Sequence, residues 1–175
     1  DRLIGIKGTR GVGKTTFLLQ YAKEKFGTDR SCLFINMNNF YFSGHSIVDF
    51  ANEFQKRGGK VLLIDQVFKH PDWSRELRMC YDRFPNLKIV FTGSSVMRLK
   101  EENLELRDIV KSYNLRGFSF REFLNLQTGM KFRHYTLEEI LSSHEQIAKG
   151  VLSKVRPLDY FQAVSYTHLT LPTKA

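Results

Sequence analysis

The sequence predicts an α/β fold in which a parallel sheet is covered by helices on both faces. Two observations carry that prediction. Apolar strands alternate with helical segments, and each strand is apolar along its whole length instead of on one side only. A third observation, a glycine-rich turn between the first strand and the first helix, marks where function is to be sought, because ligands on such sheets bind beyond the carboxyl ends of the strands. The chain has 175 residues, 42% of them apolar and 26% charged. That suits one folded core with a small appendage and excludes wholesale disorder.

The elements follow in order. Leu3 to Lys7 is a short apolar strand, and Gly8 to Gly13 is the glycine-rich turn. From Lys14 to Phe26, Leu18, Leu19, Ala22 and Phe26 fall at helical spacing, with Gly27 as the stop. Cys32 to Ile35 reads as a buried strand, and a polar, aromatic-rich loop runs from Asn36 to Gly44. Ile47 to Lys56 is helical, Arg57-Gly58-Gly59 breaks it, and Lys60 to Asp65 is a strongly apolar strand. Pro71-Asp72 opens a helix on which Trp73, Leu77, Cys80, Tyr81 and Phe84 share one face, and Pro85-Asn86 closes it. Leu87 to Thr92 is a fourth buried strand, Ser95 to Lys100 a short helix, and Ile109 to Leu115 a fifth strand. After Gly117 the pattern turns helical, over Ser119 to Leu126 and Thr136 to Lys149. The expected division is a core over 1–116, a helical lid over 117–163 that is cut short, and a non-native tail over 164–175.

Both ends bear on that division. Asp1-Arg2-Leu3-Ile4 reads as a strand already under way, so a natural start is expected to be missing. Val164 to Thr173 resembles a translated sequencing adapter, which implies a gene cut short and a downstream domain lost. The net charge is +9, of which the tail contributes Lys174 alone, leaving +8. The basic residues are scattered, so charge by itself leaves nucleic acid or acidic lipid as open alternatives. No apolar run is long enough to span a bilayer. Two cysteines in apolar company, Cys32 and Cys80, point to a reducing compartment, the cytoplasm.

The turn carries the chemistry. Gly8-Thr9-Arg10-Gly11-Val12-Gly13-Lys14-Thr15 fits G-x-x-x-x-G-K-[ST] in full, between a strand and a helix. Glycines let main-chain amides approach phosphate oxygens, and the following helix aims its partly positive end at the same anion. Lys14 reaches the β- and γ-phosphates, and the Thr15 hydroxyl is a hard ligand for Mg²⁺. Asp65 ends an apolar strand, as the acid that holds a magnesium shell does, or else caps the next helix. The next residue is Gln66. An amide cannot accept the proton of an attacking water, although it can orient one. Absence of a general base costs about 10²–10⁴ in rate. Ser94 or Ser95 either reports the γ-phosphate or caps the short helix. Arg107 is either an arginine finger toward a neighbouring subunit or a solvated arginine. Trp73 and Cys80 read as core, and the histidines show no metal-ligand spacing.

Taken together these residues resemble AAA-superfamily ATPases of the archaeal and bacterial type, often joined to a restriction-endonuclease-like C-terminal domain. The resemblance covers Leu3 to Leu126 and rests on Ile6 to Thr16, Leu63-Ile64-Asp65, Pro71 to Leu77, Phe91 to Ser95 and Leu115 to Phe123. It implies a P-loop NTPase sheet of five parallel strands in the order 5-1-4-3-2, with a small helical lid after Gly117. It implies ATP and Mg²⁺ as ligands, with Lys14, Thr15, Thr16 and Asp65 at the nucleotide and Ser94 as sensor. Arg107 fits the arginine-bearing stretch only approximately, and the family has Glu where Gln66 stands. A homo-oligomer, and nucleic acid reached through the absent C-terminal domain, are the partners it implies. The expected function is an ATPase module coupling Mg-ATP binding and hydrolysis to conformational change. The alternatives are a nucleotide-gated binding module with little turnover, and a small P-loop kinase, although no arginine-rich lid of the kinase type is visible.

Overall fold

A computed structural model describes residues 1–94 and 104–156, which fall into two compact units, Asp1–Arg116 and the chain from Gly117 onward. The first unit runs β1 (Leu3–Gly8), α1 (Lys14–Lys25), β2 (Cys32–Asn36), α2 (Ile47–Lys56), β3 (Val61–Asp65), α3 (Trp73–Arg83), β4 (Lys88–Ser94) and β5 (Val110–Asn114). Short 3₁₀ turns at Phe40–Ser43 and Val67–Lys69 follow β2 and β3. The five strands form one parallel sheet in the order β2-β3-β4-β1-β5, which is the expected 5-1-4-3-2 read from the other edge.

Alternation along the strands fills both faces. Leu62 and Ile64 of β3 point to one side, with Ile89 and Phe91 of β4, against Val48, Ala51 and Phe54 of α2 and Leu77 and Cys80 of α3. Val61 and Leu63 point to the other, with Ile6 and Val90, against Leu18 of α1. The interior strand β3 is buried at all five positions because it has neighbours on both edges and helices on both faces. β2 departs from the expectation of a buried strand. It lies at the edge of the sheet, only Ile35 is fully buried, and Leu33 is 37% exposed. Helix α1 is likewise less buried than its spacing suggests. Leu18 is its one buried residue, Leu19 is exposed, and Phe17 and Tyr21 line an apolar groove of about 420 Å³ beside β1, β4 and β5.

Local signals set the boundaries. Gly27 takes a left-handed φ of 56° just past α1, and Ser46 caps α2 by accepting from Val48 and Asp49 amides. Trp73 packs as core against Phe91, ring centroids 5.9 Å apart, and burial pushes the Cys80 thiol up to about 12, which makes it an inert packing group. In the second unit, α4 (Phe120–Thr128) and α5 (Leu137–Leu152) each begin with a reciprocal capping box, Ser119 with Glu122 and Thr136 with Glu139. Ser143 breaks the helical dihedrals inside α5. The expected short helix from Ser95, and the tail from Val164, lie outside the described residues.

Candidate functional site

In register, Gly8 of β1 stands beside Ser94 of β4, and Asn36 of β2 stands beside Asp65 of β3. Ile64 stands beside Phe91, so β2 and β3 end about two residues short of β1 and β4, and the residues singled out from the sequence, Arg107 excepted, gather at these carboxyl ends. The loop from Gly8 to Gly13 is shaped by glycine for two different reasons. Gly11 and Gly13 have φ of 85° and 92°, the left-handed region, and nothing lies within 4 Å of where a Cβ would stand. Their requirement is conformational. Gly8 instead packs directly under the main-chain carbonyl of Leu115, so a side chain there would collide with backbone. That corrects the expectation that all three glycines serve ligand approach.

Gly13 is the N-cap of α1 and supplies no side-chain cap, and no acid occupies the first turn at Lys14, Thr15 and Thr16. The first turn of α1 therefore has neither a side-chain cap nor an acid of its own to meet its amides and the helix dipole. Lys14 folds over this loop, donating from Nζ to the carbonyls of Gly8 (2.9 Å) and Thr9 (2.8 Å). Burial lowers its pKa, and the nearby Asp65 charge works against that fall. Thr9 and Arg10 are exposed and Val12 is half-buried.

Asp65 is 1% exposed and accepts hydrogen bonds from three side chains among the described residues. Thr15 Oγ1 donates to Oδ2 at 2.8 Å, Asn36 Nδ2 to the same oxygen at 3.1 Å, and Thr92 Oγ1 to Oδ1 at 2.5 Å. The bond from Thr15 joins the start of α1 to the tip of β3, which places the two predicted metal-ligand oxygens side by side. Two hard oxygens at this spacing, beside a cradle of amides, fit a divalent cation that keeps water and phosphate oxygens as its remaining ligands. They fit a structural zinc site poorly, since among the described residues no thiolate or imidazole joins them.

Gln66 has φ 56° and ψ 46°, a left-handed conformation that costs a residue with a side chain about 1–3 kcal/mol. Its N–H donates to Thr92 Oγ1 at 3.0 Å. Ser94 ends β4 beside Gly8, level with the start of the loop. Arg107 does not join the cluster. It is exposed in the turn before β5, and Val110 pairs with Leu3, the opposite end of β1 from Gly8. A strand of this length puts it about 17 Å or more from the loop along the sheet, so it cannot serve its own chain's site.

Two site residues are absent from the sequence reading. Asn36 bridges Asp65 Oδ2 and, through Oδ1, the Asn38 amide at 2.8 Å. Thr92, fully buried, contacts both Asp65 and Gln66. The available signal was a polar residue in or ending a strand predicted to lie beside the strand of Asp65.

No curated protein matches the chain in sequence. Among solved structures, that of PCH-2 from C. elegans is similar over 73% of this chain and 39% of that one, at 17% identity and a TM-score of 0.46, so the chain spans about two-fifths of that protein's length. The family model described as an AAA domain matches residues 1–124, and the chain belongs to that family of ATP-binding modules.

Proposed function

We propose that the chain binds Mg-ATP at Gly8–Thr15 and Asp65 and couples binding and hydrolysis to conformational change. The observation that supports this most is the 2.8 Å bond from Thr15 to Asp65, which joins the phosphate-loop helix to the strand-end acid at one point. In this reading the amides of Gly11 to Thr16, with Thr9, Arg10 and Val12 completing the loop, surround the β-phosphate. Lys14 exchanges its two neutral loop carbonyls for anionic β- and γ-phosphate oxygens, so that the acceptors as well as the donor are charged. Thr15 and Asp65 hold Mg²⁺, which when bound neutralises developing charge on the phosphates. Ser94, beside Gly8 at the start of the loop, would report the γ-phosphate through its hydroxyl. Arg107, remote from its own site, completes the site of a second copy, which makes a homo-oligomer part of the proposal.

A second reading, nucleotide-gated binding with little hydrolysis, is supported by Gln66. Its amide cannot take a proton from water, and its strained main chain fixes it at the site all the same. Turnover of the native chain beside Gln66→Glu separates the two readings. Equilibrium dialysis with labelled ATP tests their common ground: one ATP is taken up per chain, more tightly with Mg²⁺ than in chelator, and no uptake discards both. Nucleic acid as a partner is proposed from the net charge, +8 without Lys174 of the tail, and a DNA titration across salt concentration tests it. A reducing, cytoplasmic setting is proposed from Cys32 and Cys80, both free.

A further inference from the structure

Thr92 lies in the middle of the sheet, fully buried, in a strand whose neighbours Val90 and Phe91 are apolar. A threonine hydroxyl has one hydrogen to give and lone pairs to receive. Here the hydrogen goes to Asp65 Oδ1 at 2.5 Å and a lone pair accepts the Gln66 N–H at 3.0 Å. Oδ2 is left to Thr15 and Asn36. The two oxygens of one carboxylate therefore have separate duties, Oδ1 facing the interior of the sheet and Oδ2 facing the helix end where the phosphate loop closes. Packing alone does not ask for a hydroxyl at this position, because valine has the same shape and suits a buried strand better.

We infer that Thr92 is a positioning residue: one buried hydroxyl fixes the Asp65 carboxylate with Oδ2 turned toward Thr15 and at the same time holds the left-handed main chain of Gln66. Acid and amide are thereby placed as a unit, and a shift in either is felt by the other through a single oxygen. The inference rests on the proposed role of Asp65 toward a divalent cation, and it goes further by naming the group that decides which oxygen the cation meets. Outer-shell partners of metal-binding carboxylates act in this way, by removing the rotational freedom of the ligand.

The test uses the whole chain with ADP and Mn²⁺, the metal followed by its paramagnetic resonance. Thr92→Val weakens Mn²⁺ binding to the ADP complex about 10–100-fold, leaves ADP affinity in chelator unchanged, and broadens the bound Mn²⁺ spectrum as the carboxylate gains freedom. Thr92→Ser, which keeps the hydroxyl, restores both. Equal Mn²⁺ affinity in wild type and Thr92→Val overturns the inference, and so does a Thr92→Ser variant as weak as the valine. Should the valine variant fail to fold, Thr92→Cys, similar in size with a weak donor, takes its place and falls between serine and wild type on one side and no binding on the other. Failure of both to fold makes Thr92 a folding residue and also overturns it. A wild-type chain that takes up no ADP at all, with metal or without, is the separate failure of the nucleotide site itself.

Discussion

The two halves of the site are made of different material. From Thr9 to Gly13 the loop is shaped by its main chain, with left-handed Gly11 and Gly13, and is exposed or half-buried. Around Asp65 the polar groups are side chains, Asn36, Thr15 and Thr92, supplied by three separate elements and converging on a carboxylate that is almost wholly buried. A cradle of main chain tolerates varied side chains but no change of dihedral angle. A corner of side chains tolerates modest backbone movement but no loss of a donor. In the proposed function the same division separates what each half would contribute, affinity for phosphate in the first case and placement of metal and water in the second.

Perturbing the corner and the cradle in turn sharpens that contrast. The largest effect is expected at the corner, where Gln66→Glu supplies the missing proton acceptor and raises ATP turnover about 10²–10⁴-fold, read in a steady-state phosphate-release assay. Unchanged turnover means that Gln66 does not limit hydrolysis. Next is the cradle: Gly13→Ala must adopt φ near 92°, at about 1–2 kcal/mol, and this lowers both thermal stability and nucleotide affinity. Gly8→Ala, by contrast, meets the Leu115 carbonyl and acts on folding more than on affinity, so the two variants separate in a melting curve set beside a binding isotherm.

The smallest effect lies in the second unit. Main-chain and side-chain donors at Ser119, and the main chain at Thr136, hold the Glu122 and Glu139 carboxyls below the usual carboxylate value of 4.5. A lowered folded-state pKa means that their stabilisation is present above about 4.5 and is lost as pH falls through the lower folded value. Helicity measured by circular dichroism therefore shows a shallow loss below pH 4.5, and the double variant Glu122→Gln with Glu139→Gln flattens it.

How much was legible follows the same division. Main-chain features leave a mark in sequence, because only glycine suits Gly11 and Gly13 and because the lysine and hydroxyl must follow at fixed spacing. The sheet order came from the resemblance of the loop and strand-end motifs to AAA-superfamily ATPases, not from the apolar strands themselves. Side-chain convergence leaves almost none. Thr92 looks like any strand threonine until β4 is laid beside β3, and Asn36 looks like the start of a polar loop until the register puts it opposite Asp65. The edge position of β2 was hidden for a related reason. Cys32-Leu33-Phe34-Ile35 is as apolar as a central strand, and what distinguishes it is the absence of a sixth strand beside it in the described sheet. Arg107 precedes β5 as expected, yet only the parallel pairing of β5 with β1 reveals that it sits at the far end of the sheet.

Calorimetry of ATP binding in Mg²⁺, wild type beside Lys14→Ala, bears most directly on the claim that loop and acid form one nucleotide site. Two charge-assisted hydrogen bonds to phosphate, at about 1.5–3 kcal/mol each, put the expected loss at about 10²-fold or more. The account predicts a clear isotherm for the wild type and none, or one weakened by that factor, for the alanine variant at equal thermal stability. An alanine variant that binds ATP as tightly as the wild type contradicts it.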